Sequence, residues 1–115
     1  MPRRITAADL RSVIVIERDE AADNTLGERE SNWVQHARLY ACVEPLRGRE
    51  SFAAGQMQSP QDVRFTVRFV RSLVIDTAMR VRWSDGLYGI NAVIDVDGAH
   101  QWLELMCTQG IRDGR

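Results

Sequence analysis

The chain has 115 residues, 44% hydrophobic and 27% charged, with 15 basic against 16 acidic side chains. That length suits one domain with one modest core and no need of metals or disulfides. A net charge of −1 counts against a dedicated nucleic-acid binder, and no apolar run approaches the roughly 18 residues of a membrane-spanning helix. All 15 basic residues are arginine.

The start, Met1-Pro2-Arg3-Arg4-Ile5-Thr6, is basic but runs into Asp9 and Arg11 without the apolar stretch of a signal peptide. Residues 1–9 and 109–115 read as loose tails of a single domain spanning 1–115. Between Leu10 and Glu17, Val13-Ile14-Val15-Ile16 is β-branched and too short for an ordinary helix, so it reads as a strand. Glu17 to Glu30 then holds six acids against Arg18 and Arg29, a local charge of −4. With Asn24 and Gly27 it reads as an exposed hairpin tip or mobile loop.

Trp33 to Glu44 is a second strand, with Ala37, Leu39, Ala41 and Val43 on one face and His36, Arg38, Tyr40 and Glu44 on the other. Pro45 to Pro60 has no such alternation. Its length exceeds a simple hairpin connection, and it reads as a long ordered loop or short helix with a bearing on function. Val63, Phe65, Val67 and Phe69 alternate with Arg64, Thr66, Arg68 and Val70, and Met79, Val81 and Trp83 alternate with Arg80, Arg82 and Ser84. Asp85-Gly86 is a hairpin signal between Trp83 and Leu87. Ala92-Val93-Ile94 reaches a turn at Asp95-Val96-Asp97-Gly98, and Trp102 to Cys107 is a last strand. Six short strands with turns between them predict a mainly β fold, a small antiparallel barrel or sandwich.

Catalytic and metal motifs are missing. His36 and His100 match no ligand spacing and read as surface histidines. Asp95-x-Asp-Gly opens like a calcium loop, but its glycine comes two positions early and the twelfth-position glutamate is missing, so it reads as a turn. Cys42 and Cys107 read as reduced thiols rather than a disulfide. No cofactor is expected.

The strands over 60–83 carry Arg64, Arg68, Arg71, Arg80 and Arg82 against Asp62 and Asp76, a local +3. A single-strand-binding surface needs aromatics and cations on one face, whereas alternation here puts them on opposite faces. The outward arginines Arg64, Arg68, Arg80 and Arg82 therefore read either as a solvated face or as half of a charged interface. Glu17, Asp19, Glu20, Glu28 and Glu30 offer the opposite sign. Pairing within one chain and head-to-tail pairing between copies both satisfy the pattern.

The order Leu10-Arg11…Val15-Ile16, Gly27…Trp33, then Ala41-Cys42-Val43-Glu44-Pro45-Leu46-Arg47-Gly48-Arg49-Glu50-Ser51-Phe52-Ala53-Ala54, then Met79-Arg80-Val81, Asp85-Gly86-Leu87-Tyr88-Gly89-Ile90 and Leu103-Glu104-Leu105 resembles the head–tail adaptor family of tailed bacteriophages, also called head-closure or stopper proteins. The likeness runs from about residue 10 to 108, and its most specific part is the block around Val43 to Ala54. It implies a small β-barrel of about six strands with a long loop or short helix after the second. It also implies a ring in the virion, assembled from host cytoplasm, that closes the DNA exit channel after packaging and joins head to tail.

The partners so implied are further copies of the chain, the portal-side adaptor, a tail terminator or tail tube protein, and packaged double-stranded DNA without sequence-specific binding. The loop carried over as facing the channel or neighbouring subunits holds Pro45, Leu46, Arg47, Gly48, Arg49, Glu50, Ser51, Phe52 and Met57. Arg49 and Glu50 are candidates to bridge neighbours, and Phe52 and Met57 are apolar anchors either there or on the home barrel. Val13 and Gly89 depart from the family pattern, which has polar residues at both places. The alternatives are another connector or tail-terminator ring and, from a different class, an OB-like nucleic-acid module; nothing in the sequence favours an enzyme.

Overall fold

A computed structural model of the protein describes residues 5–21, 31–46 and 62–110, and in it six strands close into an antiparallel barrel. They are β1 (Ser12–Asp19), β2 (Trp33–Pro45), β3 (Asp62–Arg68), β4 (Arg80–Trp83), β5 (Gly86–Asp95) and β6 (Trp102–Gln109). Around the barrel the order is β1-β2-β3-β6-β5-β4, and β4 pairs back onto β1. The mainly β reading thus resolves to a barrel rather than a sandwich. The loop or helix expected after β2 falls on 47–61, outside the described residues.

Alternation sets the core. Ile14 and Ile16 of β1, Val63, Phe65 and Val67 of β3, Val81 of β4, Tyr88 and Ile90 of β5, and Leu103, Leu105 and Cys107 of β6 are buried together. Phe65 lies at the centre, edge-on to Trp83 at 5.8 Å and to Tyr88 at 5.4 Å between ring centroids. Edge-to-face packing suits the ring quadrupoles and adds to the burial of apolar area. β2 is long because it serves two neighbours: Trp33 to Ala41 pairs with β1, and Ala41 to Pro45 pairs with β3.

Strand directions sort the connections. One end of the barrel carries the β1–β2, β3–β4 and β5–β6 connections; the other carries the β2–β3 connection and the β4–β5 turn. Residues 69–79 connect β3 to β4 at the first end, where the Val74 carbonyl meets His36 Nε2 of β2, and their Ile75 and Met79 are buried in the core.

Several local expectations change. β1 continues to Asp19, so Glu17 and Asp19 are strand residues rather than part of an exposed acidic loop. The β4–β5 turn comes one residue early: Trp83 pairs with Gly86 around Ser84-Asp85, with Ser84 at φ 56°. Gly86 sits in a crowded spot: a Cβ there would lie 2.9 Å from Gln109 Nε2, the end of a flexible side chain, and 3.1 Å from the Tyr88 ring. Residues at the inner ends of both expected tails belong to regular structure. Ala7–Asp9 forms a 3₁₀ turn, with the Asp9 carboxylate accepting from the Thr6 N–H at 2.9 Å, and Gln109 closes β6. A turn forms after Asp95 as expected, with Val96–Gly98 in a 3₁₀ turn, and Asp95 Oδ1 accepts from the His100 N–H at 3.0 Å. The His100 ring also contacts Asp95 and stacks on Phe69 at 4.8 Å.

Burial pushes the Cys107 thiol from its ordinary 9.0 up to about 12, and raises the Tyr88 hydroxyl, with a smaller contribution from Cys107. The folded state keeps these protons in a range where the unfolded chain releases them. Stability is therefore intact below about pH 9 and lost as pH rises toward 12. A fully coupled group costs about 1.4 kcal/mol per pH unit in that window. Urea unfolding from pH 8 to 11 is expected to show this fall, with a shallower slope in Cys107→Ala.

Candidate assembly surface

The outward face of β1 and β4 is built around one carboxylate. Register places Glu17 directly opposite Arg80, with Arg82 one outward position along β4. Glu17 Oε1 accepts from Arg80 Nε at 2.7 Å, and Glu17 Oε2 lies 2.6 Å from Arg82 Nη2. Glu17 is only 4% exposed, although alternation points it away from the core, because the two guanidiniums cover it. The Arg80 guanidinium lies 4.1 Å over the Trp33 ring of β2, so its planar face and its donor edge are both used.

The remaining charged candidates are also tied locally. Arg64 Nε donates to Glu44 Oε1 at 3.1 Å across the β2–β3 register. Arg18 pairs with Glu20 at 2.5 Å and reaches His36 Nδ1 at 3.3 Å. The other ring nitrogen of His36 lies 2.7 Å from the Val74 carbonyl, which fixes Nε2 as the donor and Nδ1 as the acceptor. His36 is the extra residue where the β1–β2 register shifts, so it bridges elements and is half-buried rather than lying on a plain outer face. Asp19 Oδ1 accepts from the Ala21 and Asn32 N–H groups at 2.9 and 2.8 Å, clamping the two sides of the β1–β2 connection. Arg68 pairs with no carboxylate among the described residues; its guanidinium lies 5.1 Å over Trp102. Glu28 and Glu30 lie outside the described residues.

Pairing within one chain is thus what joins Glu17 to Arg80 and Arg82. Trp33, Trp102 and His36 complete these contacts, a part that their places in the sequence did not suggest. Trp33 opens β2 and Trp102 opens β6, far in sequence from the arginines they meet. Only the register of the closed barrel joins them.

The long β2–β3 connection is held where it leaves the barrel. Pro45 pairs opposite Val63, and the Leu46 N–H donates to the Asp62 carbonyl at 2.9 Å. Leu46 is buried and Pro45 exposed. Asp62 Oδ1 accepts from Thr108 Oγ1 at 2.7 Å, and Thr108 Oγ1 accepts from Asn91 Nδ2 at 2.8 Å, so a polar chain crosses β3, β6 and β5 beside the exit. Asn91 reaches it because the β5–β6 register shifts between Ile90 and Ala92. Arg47, Gly48, Arg49, Glu50, Ser51, Phe52 and Met57 lie outside the described residues.

Among the described residues no group of three His, Cys, Asp or Glu side chains is placed to hold a metal, and Cys42 and Cys107 are buried and not joined in a disulfide. The model of the phage head completion protein family matches residues 5–110. Among solved structures, a solution structure of a protein from Shigella flexneri 2a superposes with a TM-score of 0.75 at 22% identity, covering 95% of this chain and 100% of that one. A chain from the virion of a native gene transfer agent particle superposes with a TM-score of 0.62 at 17% identity, covering 97% and 100%. Both likenesses concern the fold. No curated protein matches the chain.

Glu17→Gln is expected to destabilise the barrel by about 3 kcal/mol, because it removes the nearly buried carboxylate charge that Arg80 and Arg82 both pair with. Arg82 is 56% exposed, so Arg82→Ala is expected to cost less than about 1 kcal/mol. Thr108→Val removes both hydrogen bonds beside the loop exit and is expected to cost about 1–3 kcal/mol. Chemical denaturation of the three variants checks the order; equal losses at Glu17 and Arg82 would contradict it.

Proposed function

The chain belongs to the phage head completion protein family, and we propose that it forms a ring in the head–tail connector, closing the DNA exit channel after packaging and joining the head to the tail. The family match over residues 5–110 is the observation that carries this reading. The barrel supports it by offering a rigid frame, with the 47–61 connection leaving one end from the pinned pair Leu46 and Asp62. On this reading the connection supplies the contacts around the channel, and the protein resides in the virion after assembly in host cytoplasm. Its neighbours are the portal-side adaptor, a tail terminator or tail tube protein, and the packaged DNA. The role is structural and uses no catalysis.

Electrostatics agree with a channel that must let DNA pass. A phosphate-binding ring would hold the genome, since each neutralised phosphate adds salt-dependent affinity. Here the net charge is −1, and Arg64, Arg80 and Arg82 are already paired with carboxylates. The OB-like alternative loses ground for the same reason: Trp33 and Trp102 each already hold a guanidinium over one ring face.

Deleting the gene is expected to leave filled heads that lose DNA and free tails that never attach. Normal virions from the deletion would overturn the reading. Within the connection, Arg49→Glu and Glu50→Arg are each expected to lower tail joining, and the double reversal to recover it if these residues pair between neighbours. A double variant no better than either single one would remove that pairing.

A further inference from the structure

Among the described residues, five large apolar side chains keep more than a third of their surface open: Val13, Tyr40, Val70, Val74 and Ile94. They are not scattered evenly. Val13 and Tyr40 are register partners across the β1–β2 seam, and Tyr40 is 58% exposed. Tyr40 and Val70 line one shallow groove together with Leu10, Arg38 and Arg68. Neither arginine has a carboxylate partner among the described residues, so this patch is apolar with a basic rim.

The other open side chain on a strand is Ile94 of β5. Its register partner on β6 is Glu104, which has no cation partner among the described residues. Both point outward, alternating with the core residues Val93, Leu103 and Leu105. This second patch is apolar with an acidic neighbour. In the order β1-β2-β3-β6-β5-β4 the β1–β2 seam and the β6–β5 seam are three strand positions apart, on opposite sides of the barrel.

We propose that these two patches are the two halves of a contact between successive copies of this chain. The Tyr40 side of one copy packs against the Ile94 side of the next, and Arg38 faces Glu104, while Arg68 stays over Trp102 of its own chain. The charge argument selects this occupant. Two copies of the basic-rimmed patch would repel each other, as would two acidic ones, whereas the unlike patches attract and set the order head to tail. A contact between unlike surfaces on opposite sides of a subunit repeats from copy to copy, and it closes into a ring when the rotation allows. Tyr40 is the natural anchor, a large ring with little conformational entropy to lose.

This inference rests on the ring-forming reading and gives it an address distinct from the 47–61 connection. The test uses particles assembled with Tyr40→Cys/Ile94→Cys, followed by mild oxidation and a non-reducing gel. The native cysteines are buried and supply little background. The double variant is expected to give a ladder of covalent multimers, while neither single variant gives any. Particles that contain the protein but yield no ladder would overturn the interface, as would dimers from Tyr40→Cys alone, which indicate like patches meeting. Particles in which the unaltered protein is missing would instead overturn the ring reading itself, and the interface with it. As a second measurement, Arg38→Glu and Glu104→Arg are each expected to lower the particle-bound copies severalfold, and together to restore them. Failure of the combined variant to exceed the singles would remove that charge pair from the contact.

Discussion

The barrel depends on its closing seam. β4 meets β1 through three register pairs, Val15–Arg82, Ile16–Val81 and Glu17–Arg80, fewer than any other neighbouring strands share. An open seam would leave two strand edges with unpaired backbone groups, a state prone to association with other chains. Glu17 braces this weak join with both carboxylate oxygens, one to each arginine of β4, and Arg80 extends the brace by lying on Trp33 of β2. One side chain therefore ties three strands together. Its burial makes the arrangement demanding, because a desolvated charge is tolerated only while its partners stay in place.

That brace shapes what the outer surface offers. An arginine-only complement of basic residues would give a strongly positive sheet if the side chains stood free. Instead the barrel spends Arg64, Arg80 and Arg82 on its own carboxylates and lays Arg68 on Trp102. The outward arginines of β3 and β4 are thereby tied to partners within the chain. Guanidinium suits this work because one plane can stack on an aromatic ring while its edge donates hydrogen bonds.

Much of the fold was legible in the residues. Period-two alternation in Val63 to Arg68 and in Val81 to Trp83 identified β3 and β4, and β-branched density identified β1. Alternation reports only which face is buried, so it misjudged places where other forces act. Glu17 looked like the start of an acidic loop because charge density outweighed a strand that continues past it. The Asp-Gly pair drew the turn one residue late, since Gly86 answers to crowding by Tyr88 rather than to a positive φ. His36 sits at a register shift, which no periodicity reveals.

By itself, the sequence determined the class of fold, the membership of the core and the family likeness, because each is written in local spacing and residue type. Tertiary structure alone decided which charges meet. Glu17 and Arg80 are 63 residues apart, and Asp62 and Thr108 are 46 apart. Such pairs exist only once the order β1-β2-β3-β6-β5-β4 has brought distant strands into register. The physical reason is range: burial preferences act residue by residue along the chain, whereas hydrogen bonds and buried ion pairs need atoms within about 3 Å, a condition that only the closed barrel meets.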